Sequence, residues 1–129
     1  MRSIISAVAA LALAVAGSAA AKDVSFATDI VPILKKRCAI CHLTGQEAGH
    51  LALHPKAAHG SLFKKKSEES KWLLVDPGQP AKSYLLMKLD GTHLKNGGKG
   101  ARMPFAQTPL ASQDIDLFKA WIAAGAPKN

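Results

Sequence analysis

Three residues of the chain, Cys38, Cys41 and His42, have types and spacing suited to chemistry, because they form the pattern C-x-x-C-H. Residues three apart at the end of a helix project to the same side, so both sulfurs can reach the two vinyl groups at one edge of a porphyrin. Each thiol would add across a vinyl group to give a thioether, and His42 could then bind the iron through an imidazole nitrogen. The pattern therefore predicts one covalently attached haem, haem c.

Other sites also use paired cysteines. A redox-active dithiol follows a strand in a βαβ unit, whereas the apolar pattern before Cys38 is helical. A zinc site needs a second cysteine pair and an iron–sulfur cluster needs more thiolates, but the chain has two cysteines. A structural disulfide would close a small, strained loop. A chance match to five residues stays open, so the interpretation also depends on the rest of the chain.

The second axial ligand has six candidates outside the motif: Met87, Met103, His50, His54, His59 and His93. Met103 follows a glycine-rich loop, and Pro104 after it prevents the methionine from entering a helix. Met87 lies among leucines, where methionine usually fills the core, and the histidines lie in polar segments. We therefore expect His42 as the proximal iron ligand and Met103 as the distal one. A thioether ligand raises the reduction potential relative to a second imidazole and leaves no ready site for a substrate.

Two short segments have the apolar periodicity of helices that could position these residues. The first covers residues 29–38, with Asp29 as its N-terminal cap, and it leads into the motif. The second covers residues 80–89, is opened by Pro80 and is ended by Gly91. The segment 45–62 between them has the composition of a loop.

The third predicted helix is the strongest. It begins at Ser112 or Ala111 and is stopped by Gly125 and Pro127. Its apolar stripe consists of Ile115, Phe118, Trp121 and Ile122. No segment alternates as a half-buried strand does, so we expect an all-α fold. Three short helices and long loops make a thin core, and small domains of this kind usually need a staple, a metal or a large cofactor.

The N-terminus has the pattern of an export signal. Arg2 is followed by an apolar stretch at residues 4–17 and by Ala19-Ala20-Ala21, which a signal peptidase accepts. An uncleaved anchor and a soluble helix are the alternatives, but the stretch falls short of the ~20 apolar residues that span a bilayer. We expect residues 1–21 to be a signal peptide and residues 22–129 to form one domain. The mature chain would then be periplasmic or otherwise exported, with no membrane span.

The order and spacing of four blocks resemble the small single-haem cytochromes c, most closely the planctomycete-type cytochrome c domain. The blocks are residues 26–34 leading into Cys38–His42, residues 77–85, Met103-Pro104, and residues 110–126. The resemblance implies a class I cytochrome c-like fold, in which short helices and long loops wrap one covalent haem and the first and last helices cross. It also implies Cys38 and Cys41 as attachment residues, His42 as the proximal ligand and Met103 as the distal ligand. Leu43-Thr44 before Gly45, and Ala111 at the usual capping position, depart from the family pattern.

These features predict a one-electron carrier in a periplasmic electron-transfer chain, not an enzyme. The alternative is a haem subunit, sensor or peroxidase-like haem enzyme with an exchangeable distal ligand. The chain carries a net charge of +8, and Lys64-Lys65-Lys66 with Lys71 forms either a solvated loop or a docking patch for an acidic redox partner. Aromatic residues are 5% of the chain, too few to suggest stacking on nucleic acid bases. Arg102 or Trp72 could contact a haem propionate, and the Pro55 carbonyl could orient His42.

Overall fold

The computed structural model describes residues 23–129, so the predicted signal peptide lies outside the described residues. This part is mostly helical and contains three isolated β-bridges but no sheet, which confirms the all-α prediction at that level. The helices are a π-helical turn at Phe26–Ile30, α1 (Val31–Arg37), α2 (Ala58–Leu62), α3 (Tyr84–Asp90) and α4 (Ser112–Ala123). Short 3₁₀ turns occur at Ala48–His50, Pro80–Lys82 and Leu94–Asn96.

The first helical region starts earlier than its apolar pattern predicts, and the prediction that Asp29 caps it is wrong. Ser25 is the N-cap, and its hydroxyl accepts a hydrogen bond from the Thr28 N–H (3.2 Å). The Asp29 carboxylate accepts the N–H of Ser25 (2.8 Å), so the two side chains satisfy the backbone donors of Ser25 and Thr28, much as in a capping box. The π-helical turn buries Phe26 and Ile30 and runs directly into α1.

The second predicted helix is interrupted at Ser83. This residue is extended and fully buried, and its hydroxyl accepts the Asp76 N–H (2.9 Å) and lies 3.0 Å from the Gln79 carbonyl oxygen. The side chain thereby ends the 3₁₀ turn, and α3 begins after it and ends at Gly91, whose φ of 82° suits glycine. Helix α2 lies inside the segment that its composition assigns to a loop. Five residues are too few to show a helical period.

The core joins the two ends of the described chain through aromatic rings. The rings of Phe26 and Trp121 lie 5.1 Å apart, so the N-terminal turn packs against α4. His59 of α2 contacts Phe26 edge-on at 5.2 Å and stacks on Phe63 at 4.9 Å. Its Nε2 lies 2.8 Å from the Ala126 carbonyl oxygen. This cluster fixes α1, and therefore the residues that follow it, relative to the end of the chain.

Within residues 23–129, each helix falls short of the length and apolar character that crossing a membrane would require.

Candidate functional site

The C-x-x-C-H motif forms a tight turn directly after α1. The N–H of Cys38 donates to the Leu34 carbonyl oxygen (2.9 Å), which extends the helical hydrogen bonding to the first cysteine. The N–H groups of Cys41 (3.1 Å) and His42 (3.0 Å) both donate to the carbonyl oxygen of Cys38. Inside the turn, Ala39 is buried while Ile40 is 79% exposed. The two thiols and the imidazole are therefore held in one compact turn at the end of a packed helix.

A cavity of about 300 Å³ lies against this turn. Cys38, Cys41, His42 and Met103 all line it, so the structure brings together the four residues that the sequence marks as candidates. Six leucines are part of its apolar lining: Leu51, Leu53, Leu62, Leu74, Leu85 and Leu89. They come from the loop before α2, from α2, from the segment before α3 and from α3 itself. A long stretch of sequence thus encloses one apolar space.

The two cysteines differ in environment, and neither forms a disulfide. Cys38 is half-buried, and desolvation by burial raises the pKa of its thiol to about 11, although the nearby Arg37 opposes this shift. Cys38 is thus a neutral thiol at physiological pH. Redox-active dithiols instead have a lowered thiol pKa, so this environment argues against that alternative. Cys41 is exposed at the mouth of the cavity.

The His42 ring has one unsatisfied nitrogen, a feature that it shares with His93. Its Nδ1 is buried and has no hydrogen-bond partner among the described residues. The Pro55 carbonyl, a candidate for orienting this ring, makes no hydrogen bond to its Nδ1. The backbone is held instead, because the His42 carbonyl oxygen accepts the N–H of the buried Leu53 (2.8 Å). This bond brings the loop of residues 43–52 over the cavity, where Ala48, Gly49 and Leu51 line it.

The other histidines lie away from the cavity. Of the five histidines in the described chain, His42 alone lines it. His50 is exposed and pairs with Glu68 at 2.7 Å, and His59 belongs to the aromatic core. His93 is buried, with Nε2 2.9 Å from the Gly100 carbonyl oxygen, and His54 is partly buried outside the cavity lining.

The two methionine candidates also lie in different places, and only one of them lines the cavity. Met103 is partly buried against the core and lines the cavity, and its N–H donates to the Lys88 carbonyl oxygen (2.9 Å). Met87 is 4% exposed and lines a different pocket with Leu86 and Asp90. The residues of α3 that face the cavity are Tyr84, Leu85, Lys88 and Leu89, which share one side of the helix.

Polar side chains outside the C-x-x-C-H motif also line the cavity: Arg37, Lys66, Ser67, Glu68, Glu69, Tyr84, Lys88 and Gln107. Arg37 fastens the segment after Met103 to α1, since its guanidinium donates to Gln107 Oε1 (3.2 Å) and to the Thr108 carbonyl oxygen. Trp72 and Arg102, the two candidates for a propionate contact, are not part of the lining. Their side-chain nitrogens donate to the carbonyl oxygens of Asn96 and Leu89. In the sequence, Lys88 stands out only as a charged residue within the apolar run of α3.

The glycine-rich loop approaches α3 so closely that Gly98 has no room for a side chain. A Cβ at Gly98 would collide with the hydroxyl of the buried Tyr84 and lie 2.9 Å from the His93 carbonyl oxygen. We expect Gly98→Ala to lower the free energy of unfolding by about 1–3 kcal/mol, because a packed ring and a backbone carbonyl must both shift. Chemical denaturation measures this change. Gly60→Ala is the control, since a Cβ there meets nothing within 4 Å and alanine favours the helix. Equal stability of the two variants would contradict the collision.

Among residues 23–129, no three His, Cys, Asp or Glu side chains are grouped so that they could hold a metal ion. One imidazole and one thioether, as His42 and Met103 would supply them, form a different kind of ligand set. Comparison of the chain with family models gives no match, and comparisons with curated proteins and with solved structures give none either.

Proposed function

We propose that this chain is a single-haem c-type cytochrome with a class I-like fold that carries one electron at a time. One observation supports this most: Cys38, Cys41, His42 and Met103 line the same cavity, although Met103 lies more than sixty residues from the motif. Met87 and the other four histidines do not line this cavity, which supports the ligand assignment made from sequence.

The residues present fit a covalent haem. The cavity wall is largely apolar, as a porphyrin face requires, and two free thiols lie at one end of it. The Nδ1 atoms of His42 and His93 are both buried without a hydrogen-bond partner among the described residues, but of these two rings only His42 lines the cavity. In this proposal Cys38 and Cys41 would hold the cofactor, and His42 and Met103 would bind its iron.

When bound, the haem iron supplies the ferric–ferrous couple. The side chains of the cavity set the conditions for that couple: the leucines exclude water, and a thioether from Met103 favours the reduced state relative to a second imidazole. Met103, by binding the iron, would also keep an oxidant or a gas from reaching it. This arrangement supports a carrier more than an enzyme or a sensor.

The exposed positive charge of the chain supports a redox partner with an acidic surface. Lys64, Lys65 and Lys66 are exposed, and Lys66 also lines the cavity, so the basic run reaches the cavity mouth. Phe105 lies at the same mouth and is 65% exposed. Exposed positive charge beside the cavity can steer a negatively charged redox protein toward the proposed cofactor.

Visible spectroscopy with a redox titration tests the proposal. Protein from a haem-loading periplasm should titrate reversibly with a one-electron slope, and its oxidised form should show a sulfur–iron charge-transfer band near the red end of the spectrum. The reduced protein should bind carbon monoxide slowly, since Met103 occupies the distal position. Rapid binding of carbon monoxide by the wild-type protein would contradict the carrier function and favour the sensor or enzyme.

A further inference from the structure

The loop that carries Met103, residues 97–103, is fastened to α3 and the following turn along its length. The Gly98 N–H donates to the His93 carbonyl oxygen (2.8 Å). The ring Nε2 of His93 lies 2.9 Å from the Gly100 carbonyl oxygen. At the far end, the Met103 N–H donates to the carbonyl oxygen of Lys88 (2.9 Å). The position of Met103 therefore depends on how this loop is attached to α3.

Side chains of α3 attach the middle of the loop at Lys99. The ammonium of Lys88 donates to the Lys99 carbonyl oxygen (3.0 Å) and to Glu69 Oε2 (2.8 Å). The Tyr84 hydroxyl accepts the Lys99 N–H (3.2 Å) and lies 3.2 Å from the same Glu69 oxygen. Lys88 is 7% exposed and Tyr84 2% exposed. We call Lys88, Tyr84 and Glu69 the α3 clamp.

The α3 clamp lies beside the candidate site. All three of its residues line the cavity that Met103 also lines. The loop backbone approaches the clamp as closely as glycine permits, because a Cβ at Gly100 would lie 2.7 Å from Glu69 Oε1 and 3.2 Å from Lys88 Nζ. The Glu69 carboxylate and the backbone N–H and carbonyl of Lys99 are thus the hydrogen-bond partners of Lys88 and Tyr84, whose side chains are nearly buried.

Fixing the position of the loop explains this arrangement better than stabilising the fold does. The Lys88 side chain is almost buried while that of Glu69 is 41% exposed, and burying a charge costs desolvation energy that an apolar side chain of similar shape would not. A buried ammonium, by contrast, restricts geometry, since it must keep its acceptors. Here one acceptor is a carboxylate and the other is the backbone of the loop that leads to Met103.

We propose that the α3 clamp is a positioning device for the Met103 thioether, holding the loop closed so that the sulfur stays at the iron. This inference rests on the proposed function. Lys88, Tyr84 and Glu69 act through Met103, so they are positioning residues. Loss of the clamp should let the loop open and allow an external ligand to replace the thioether.

The test compares Lys88→Leu and Tyr84→Phe with wild-type holoprotein by two measurements. One is amide hydrogen exchange at Lys99 and Met103, and the other is the affinity of the ferric iron for imidazole. Losing a hydrogen bond to a charged group should change the opening equilibrium by about tenfold or more, so both should rise about tenfold in Lys88→Leu. Tyr84→Phe keeps the shape of the ring and should act in the same direction. Lys95→Leu removes an exposed charge from the neighbouring 3₁₀ turn and should change neither quantity.

The outcomes separate the clamp from the haem proposal. A general loss of stability would also accelerate exchange in α4, whereas loss of the clamp should act on the loop alone. If wild-type protein shows the sulfur–iron band and both variants leave loop exchange and imidazole affinity unchanged, the clamp proposal is wrong. If the wild-type protein lacks that band while exchange at Lys99 rises in Lys88→Leu, the distal ligation is wrong, and with it the clamp's role toward the iron. Should Lys88→Leu not fold, Tyr84→Phe decides.

Discussion

Replacing both Cys38 and Cys41 by alanine is expected to give protein that carries no covalent haem and is largely unfolded. The two thiols lie in one turn at the cavity, and no other cysteine exists to replace them. The described helices are short, and the leucines around the cavity would be left facing an apolar space of about 300 Å³. We expect a small domain built around such an apolar cavity to depend on a bound group for much of the apolar contact there.

Haem staining after denaturing electrophoresis and far-UV circular dichroism measure the two effects. Each single variant, Cys38→Ala or Cys41→Ala, should retain one thioether and hold haem less firmly. Ile40→Ala is the matched control, because this residue of the motif turn is 79% exposed and carries no thiol. A double variant that keeps haem through denaturation would contradict the attachment. Haem-free protein with a well-dispersed NMR spectrum would show that the polypeptide core suffices by itself.

Met103→Leu is expected to abolish the sulfur–iron charge-transfer band, lower the reduction potential and let carbon monoxide or cyanide bind. Leucine has nearly the volume of methionine, so the fold should lose less than about 1.5 kcal/mol while the thioether is removed. The side chain lines the cavity and packs on the core, which is why a substitution of similar volume isolates the loss of the sulfur.

Met87→Leu is the matched control for this variant. Met87 is 4% exposed and lies on a different side of α3 from the cavity residues, so the same substitution there should leave band and potential unchanged. Absorbance of the oxidised protein and a potentiometric titration show whether Met103 or Met87 binds the iron. A band that survives Met103→Leu and disappears in Met87→Leu would reverse the ligand assignment.

The sequence was most informative where chemistry depends on neighbouring residues. The C-x-x-C-H pattern directly predicts Cys38 and Cys41 as attachment residues and His42 as an iron ligand. Pro104 predicts that Met103 stays outside a helix. Helix α4 was predicted almost to the residue, because twelve residues are enough to show an apolar stripe. The all-α class follows from the same patterns.

Elements shaped by distant contacts could not be predicted. Helix α2 has five residues, and Ala58 and Leu62 are buried because they pack in the core rather than because of a visible period. Ser83 ends the 3₁₀ turn through bonds to Asp76 and Gln79, which only the folded chain brings into register. In the sequence Lys88 is only an odd charge in an apolar helix, and its partners Glu69 and Lys99 lie nineteen and eleven residues away.

The most direct test of the central claim is the intact mass of the protein after acid–acetone extraction. The protein should be produced in a periplasm that attaches haem and then extracted until the solvent is colourless. We expect a mass equal to the mature polypeptide plus one haem, with the modified peptide containing Cys38 and Cys41. A mass equal to the polypeptide alone, with all the haem in the extract, would contradict covalent attachment and the function proposed from it.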